Sequence, residues 1–246
     1  VGTHPIIGSQ INIKISDIIG KVSLYATSEE GYKNLTKLSS LSYLKTNVTT
    51  EPSCNIKDLA DSCKDLILLT GNYTGFFGKL FYKNKLKDLE KILEFLRNSF
   101  EDRLYLEIQR HNEHQEKNFE NFLLTLSKSL QLPLIATQEI FYIKKDMYEA
   151  HDALICIGEK KFVDEKDRFR FSNEHYFKSQ EEIEKLYSDI PEALENNYKF
   201  HLRFHFKPKK SKPILPSIAN EESTSPEELL SRLAKKGLEN RLENFI

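Results

Sequence analysis

The chain has 246 residues, of which 39% are hydrophobic and 30% charged, and its 36 Lys and Arg against 37 Asp and Glu give a formal net charge of -1. This balance excludes a disordered chain and a globally basic nucleic-acid binder, and leaves room for one large α/β domain or two modest ones. Three cysteines without CxxC spacing, Cys54, Cys63 and Cys156, exclude a disulfide framework and a zinc cluster and suit a cytoplasmic protein, while no run of about 18 apolar residues is present to span a membrane.

The opening Val1-Gly2-Thr3-His4-Pro5 has neither an initiating Met nor a basic leader, so the chain reads as cut at its beginning. Short apolar runs then predict five strands: Ile6–Ile13, Val22–Ala26, Leu66–Leu69, Leu104–Ile108 and Leu134–Ala136. Between the third and fourth, Leu86, Leu89, Ile92, Leu93 and Leu96 share one helical face. Between the fourth and fifth, Phe119, Phe122, Leu123, Leu126 and Leu130 do the same. Strand and helix in alternation predict βαβ units and a mainly parallel sheet, either open or closed into a barrel.

From about residue 146 to 206 the pattern is helical. Met147–Ile157 reads as one helix, Ser179-Gln180-Glu181-Glu182 as the capping box of a second, and Asp189-Ile190-Pro191-Glu192 as the start of a third. Lys207, Lys209, Lys210 and Lys212, interleaved with Pro208 and Pro213, predict a linker or an extended crossing strand. Ser225-Pro226-Glu227-Glu228 then supplies an N-cap, a proline at the first helical position and a capping-box Glu for a closing helix.

Five stretches in fixed order carry a family resemblance: Pro5-Ile6-Ile7-Gly8, Glu30-Gly31-Tyr32-Lys33-Asn34-Leu35, Tyr105-Leu106-Glu107-Ile108-Gln109, Glu149-Ala150-His151-Asp152 with Cys156-Ile157, and Asp189-Ile190-Pro191-Glu192-Ala193-Leu194-Glu195-Asn196. Together they resemble the PHP (polymerase and histidinol phosphatase) domain that opens the alpha subunit of bacterial DNA polymerase III. The resemblance implies an α/β fold, a distorted (β/α) barrel of the PHP type, incomplete at its amino terminus and followed by helices. It places the PHP domain at residues 1–206, and a linker with the first helix of the polymerase palm region at 207–246. The strand with the family's His-x-His motif is expected before Val1 and the palm aspartates beyond Ile246, so the chain alone is expected to be catalytically inactive.

In family members with an intact site, histidines, acids and a cysteine hold a cluster of metal ions at the strand ends. Carried over residue by residue, the bridging acid falls on Gln10, a strand-opening histidine on Lys21, the cysteine on Asn72 and the final histidine on Phe141. Amide, ammonium and phenyl groups are poor ligands or none. His111 and Glu139 alone keep donor chemistry, and the expectation is that they are vestigial, satisfied by hydrogen bonds, with no metal bound; Arg110 and Lys21 are the expected charge partners of Glu139.

Other candidates are weaker. His151 and Asp152 are adjacent on a helix and point about 100° apart, which disfavours a base and its orienter. His201 and His205 share one side only if the segment is a strand, and two imidazoles without a third ligand do not make a metal site. His111 and His114 could share a metal only on a helix, and the residues after His111 read as loop. Gly71, Gly75 and Gly78 suggest a tight turn rather than a phosphate loop, because no Gly-Lys-Ser/Thr follows. Lys207, Lys209, Lys210 and Lys212 are the best local nucleic-acid candidates, with Phe204 and Phe206 as stacking partners, although such runs also serve as solvated linkers.

The resemblance implies part of a DNA-directed DNA polymerase, with Mg in the palm of the full-length protein and no cofactor in this stretch. Its expected role is structural, buttressing the polymerase and docking a proofreading exonuclease subunit, with other polymerase III holoenzyme subunits and primer-template DNA as further partners. The alternative is a residual metal-dependent phosphoesterase or 3′-5′ exonuclease using His111 and Glu139.

Overall fold

The computed structural model describes residues 5–46, 50–210, 212–213 and 225–243. The chain divides into two units, residues 1–207 and 208–246.

Five strands form one sheet in the order β1-β2-β3-β4-β5. The sequence places all five but starts the second too late. β1 (Ile7–Ile15) and β2 (Ile18–Ala26) form a hairpin around Ser16-Asp17, with Ser16 at φ 54°, and a two-residue connection permits only antiparallel pairing. Asp17 is tied to Lys83 at 2.7 Å. β3 (Leu66–Leu69) also pairs antiparallel with β2, whereas β4 (Leu104–Gln109) and β5 (Leu134–Thr137) extend it in parallel. The sheet is therefore mixed, not mainly parallel, and among the described residues it is not closed.

α1 (Glu29–Leu44) and the one-and-a-half-turn α2 (Ile56–Asp61) join β2 to β3. α3 (Phe76–Tyr82) and α4 (Leu86–Phe100) join β3 to β4, and α5 (Glu116–Leu130) joins β4 to β5. Of the predicted face of α4, Leu89, Leu93 and Leu96 are completely buried and Leu86 and Ile92 half-buried; Phe100, which the prediction did not include, is also completely buried, and each complete burial is worth about 1.5–3 kcal/mol relative to exposure. The completely buried side chains belong to the same main core as Ile11, Val22, Leu24, Leu68, Leu106 and Ile108 of the strands.

Strand side chains alternate between faces, so the same sheet carries a second set on its other side. There Ile67, Leu69, Tyr105, Ile135 and Phe204 form a smaller apolar cluster, with Tyr25 and Phe200 packed against it. This cluster closes one end of the second face. Farther along the strands the same face is polar.

After β5 come α6 (Tyr148–Glu159), α7 (Gln180–Leu186) and α8 (Pro191–Phe200). The box at Ser179 forms in both directions, Glu182 N donating to Ser179 Oγ at 3.2 Å and Ser179 N to Glu182 Oε2 at 2.7 Å. α8 covers the outer edge of β5: Asn196 donates to Leu134 O at 2.6 Å, and Asn197 both donates to Ala136 O at 2.7 Å and accepts from Ala136 N at 3.2 Å. Two side-chain amides thus imitate a further strand and blunt an edge that would otherwise expose its backbone.

His201–Arg203 is a 3₁₀ turn, so His201 and His205 do not share a strand face. In the second unit, α9 (Pro226–Glu243) starts from the predicted capping box, with Glu228 N donating to Ser225 Oγ at 3.3 Å.

Candidate functional site

The polar end of the second face forms a cleft of about 230 Å³. Gln10 and Asn12 of β1 pair across the hairpin with Ser23 and Lys21 of β2, which puts all four on one face. Gly71 and Asn72 follow β3, Glu107 and Gln109 end β4, and Glu139 lies just past β5. Gly71, at φ +82°, turns the chain out of β3, and Gly75 caps α3. At Gly20 a Cβ would lie 2.4 Å from Phe76 Cα, so glycine is what allows α3 to sit against β2 and bring Lys79 to the rim.

A continuous hydrogen-bond chain runs along the cleft wall. Asn72 Nδ2 donates to Gln109 Oε1 at 3.0 Å, and Gln109 Nε2 donates to Glu107 Oε1 at 2.9 Å and to Thr137 Oγ1 at 3.0 Å. The Thr137 hydroxyl donates to Glu107, and Gly71 N donates to Glu107 Oε2 at 3.0 Å. Glu107 is 5% exposed. Burial raises its pKa, opposed by the bonds from Thr137, Gln109 and Gly71 and reinforced by the nearby Glu139 charge. Neutral donors from three strand ends therefore surround a buried carboxylate.

His111 is 1% exposed and both of its ring nitrogens are engaged. Nε2 accepts from Glu139 N at 3.0 Å, which leaves the proton on Nδ1, and Nδ1 donates to Glu116 Oε1 at 3.0 Å. His175 stacks on it, ring centroids 4.1 Å apart and planes 4° from parallel. The Nδ1 of His175 donates to Glu139 O at 3.0 Å, whereas its buried Nε2 makes no hydrogen bond among the described residues and lies 3.6 Å from Glu113 Oε1. Burial first, then the neighbouring His111, lowers the His175 pKa to about 4.

Phe141 continues the stack, 4.9 Å from the His175 ring and 5.1 Å from the His151 ring. Phe141 itself is 37% exposed, so at the position where the resemblance expects the final histidine it gives an aromatic contact at the rim of the stack and not a core one. His151 is part of this packing, and Asp152 points elsewhere, into a two-pronged ion pair with Arg168.

Arg110 is not a partner of Glu139. It binds Glu120 through Nε at 2.9 Å and Nη2 at 2.6 Å, and Asp189 through Nη1 at 2.7 Å and Nη2 at 2.8 Å. Lys21 shares the cleft with Glu139 but forms no ion pair with it among the described residues. His111 and Glu139 do come together, through the Glu139 backbone, and the Glu139 side chain lines the cleft. His114 follows in the loop and joins no site. With both nitrogens of His111 committed, and Gln10, Lys21, Asn72 and Phe141 at the other positions, the donor set does not fit a metal cluster; no group of three or more His, Cys, Asp or Glu is gathered for one among the described residues.

Lys207, Lys209, Lys210 and Lys212 are exposed and outside regular secondary structure. Phe204 is buried in the second apolar cluster and Phe206 packs on Tyr32 at 5.8 Å, so neither is free to stack on a base.

Sequence reasoning did not single out Glu107, Glu116, Thr137 or His175. Glu107 was detectable, because Tyr105, Glu107 and Gln109 alternate with Leu104, Leu106 and Ile108 in a strand pattern. His175 lies in an irregular segment with no periodic signal.

Residues 1–111 match the family model for the PHP domain. The DNA polymerase III subunit alpha of Caulobacter vibrioides is 37% identical over 222 residues, covering 90% of this chain and 19% of that protein. Those of Rickettsia bellii and Vibrio cholerae are 34% and 30% identical, each over 98% of this chain and 21% of theirs. The chain thus spans about a fifth of the length of the curated relatives it matches. By these matches, residues 1–111 carry the PHP-domain pattern, and the chain over nearly its whole length is similar to a part of the alpha subunits of bacterial DNA polymerase III.

Proposed function

We propose that this chain is part of a replicative DNA polymerase III alpha subunit and that its PHP module is metal-free and structural, a brace for the polymerase and a docking surface for a proofreading exonuclease subunit. The observation that carries the reading is His111: a ligand whose two nitrogens are held at 3.0 Å by Glu116 and the Glu139 amide has no lone pair left for a cation. The chain Asn72–Gln109–Glu107–Thr137 supports it, because hydrogen bonds supply around Glu107 the positive ends of dipoles that a cation would otherwise provide. The whole polymerase would carry Mg in its palm, act on primer-template DNA with other holoenzyme subunits, and work in the cytoplasm. Lys207, Lys209, Lys210 and Lys212 are the residues proposed to meet DNA phosphates there.

Metal analysis tests the first half of this reading. After exchange into metal-poor buffer with manganese and zinc offered, the protein containing its whole amino-terminal region should hold close to none. Two or more tightly held ions per chain would overturn it and favour the residual phosphoesterase or exonuclease, in which Glu139 is the carboxylate facing the cleft. Retention of the cognate exonuclease subunit at micromolar protein tests the second half.

A further inference from the structure

We infer that residues 172–177 are a latch that fixes one wall of the cleft, and that His175 is the positioning residue that locks it. The Glu139 peptide is held from both sides: its N–H donates to His111 Nε2 and its carbonyl accepts from His175 Nδ1, both at 3.0 Å. The two imidazoles making these bonds are stacked face to face 4.1 Å apart, so neither can shift without disturbing the other.

The rest of the segment is tied to the same two loops. Ser172 N donates to Glu113 Oε1 at 2.7 Å, and the Ser172 hydroxyl donates to His111 O. Phe141 N donates to His175 O at 2.9 Å, and Phe177 N to Tyr142 O at 3.0 Å. The latch therefore joins the loop after β4 to the loop after β5, and its buried member, His175, is 3% exposed while Phe177, two residues on, is 64% exposed. Glu139 is the carboxylate that the loop after β5 gives to the cleft. Whether that wall is rigid or mobile is set by the latch and not by the sheet. This inference does not depend on whether the cleft takes up metal.

Hydrogen exchange on the whole chain, in chelator-treated buffer, reads it directly. His175→Phe keeps an aromatic ring in the stack but removes the donor, and should speed exchange of the Glu139, Phe141 and Tyr142 amides by about tenfold or more, with the core amides of β3 and β4 unchanged. His175→Asn, whose side-chain amide places a donor near the Nδ1 position, should stay within about threefold of wild type. Unchanged exchange in His175→Phe overturns the latch, as does equal loosening of β3 and β4. Should His175→Phe fail to fold, Ser172→Ala removes the other tie: faster exchange at Glu139 and Phe141 supports the latch, and no change there overturns it.

Discussion

Gln109 and Glu107 sit two residues apart on one face of β4 and are joined by a 2.9 Å hydrogen bond, the amide of the first donating to the carboxylate of the second. That bond, the Thr137 hydroxyl and Gly71 N all converge on a carboxylate that is 5% exposed. Truncation would strand three donors in a poorly hydrated place. Glu107→Ala should therefore lower stability by about 2–3 kcal/mol, seen as a reduced urea midpoint with an unchanged slope. A loss under about 0.5 kcal/mol would mean that water replaces the carboxylate freely.

Acid should weaken the fold through His175. Its pKa is depressed from 6.5 to about 4, so the native state takes up its proton later than the unfolded chain. The stability it contributes is present above pH 6.5 and is lost as pH falls through about 4. Glu107 has the opposite sign: its pKa is raised, so its contribution is present below the ordinary carboxylate value and is lost as pH rises through the folded one. Urea midpoints of wild type and His175→Asn, compared from pH 7 down to 4, isolate the first effect. The variant should show the flatter curve.

Arg110 should matter more than either of its partners. It is 19% exposed and holds Glu120, which is 13% exposed, as well as Asp189, which is 61% exposed. Removing the guanidinium leaves a largely buried carboxylate unpaired, whereas removing Asp189 leaves Arg110 still bound to Glu120. Arg110→Ala should cost about 2–4 kcal/mol and Asp189→Ala no more than about 1 kcal/mol in chemical denaturation. Equal losses would show that the exposed pair carries the interaction.

Phe141 holds the ring stack and does not vacate a metal position. Phe141→Ala should cost about 1–2 kcal/mol from lost contacts with His175, His151 and Phe171. Phe141→His should not bring zinc into the cleft, because His111 remains committed to Glu116 and Glu139. Zinc binding by Phe141→His in a dye competition assay would refute that argument.

Much of the scaffold was legible because hydrophobic period and helix caps are local. The face of α4, the box at Ser179 and the proline start of α9 needed no knowledge of neighbours. Strand direction was not local: the hairpin hid in Ile18-Ile19-Gly20-Lys21, where glycine and lysine interrupt the apolar pattern of β2. The spacing of His201 and His205 left a shared strand face open for the related reason that alternation over five residues does not distinguish a strand from a turn. At the site, residue-by-residue transfer located Gln10, Asn72, His111, Glu139 and Phe141 along the chain. It could not reveal which atoms His111 spends, because Glu116 is five residues away and His175 sixty-four. The charge partners assigned to Glu139 failed likewise, since Arg110 finds Asp189 only after α7 has folded back.

The strand order β1-β2-β3-β4-β5 also has a kinetic meaning. Every strand joins the sheet beside the one made just before it, so no pairing must wait for a distant segment to be synthesised. The hairpin around Ser16-Asp17 can close in microseconds and offers β2 as a template, after which β3, β4 and β5 add in order at one growing side. Asn196 and Asn197 arrive last and end that growth. On the side where β3, β4 and β5 add, each new strand edge stays unpaired only until the next segment emerges from the ribosome.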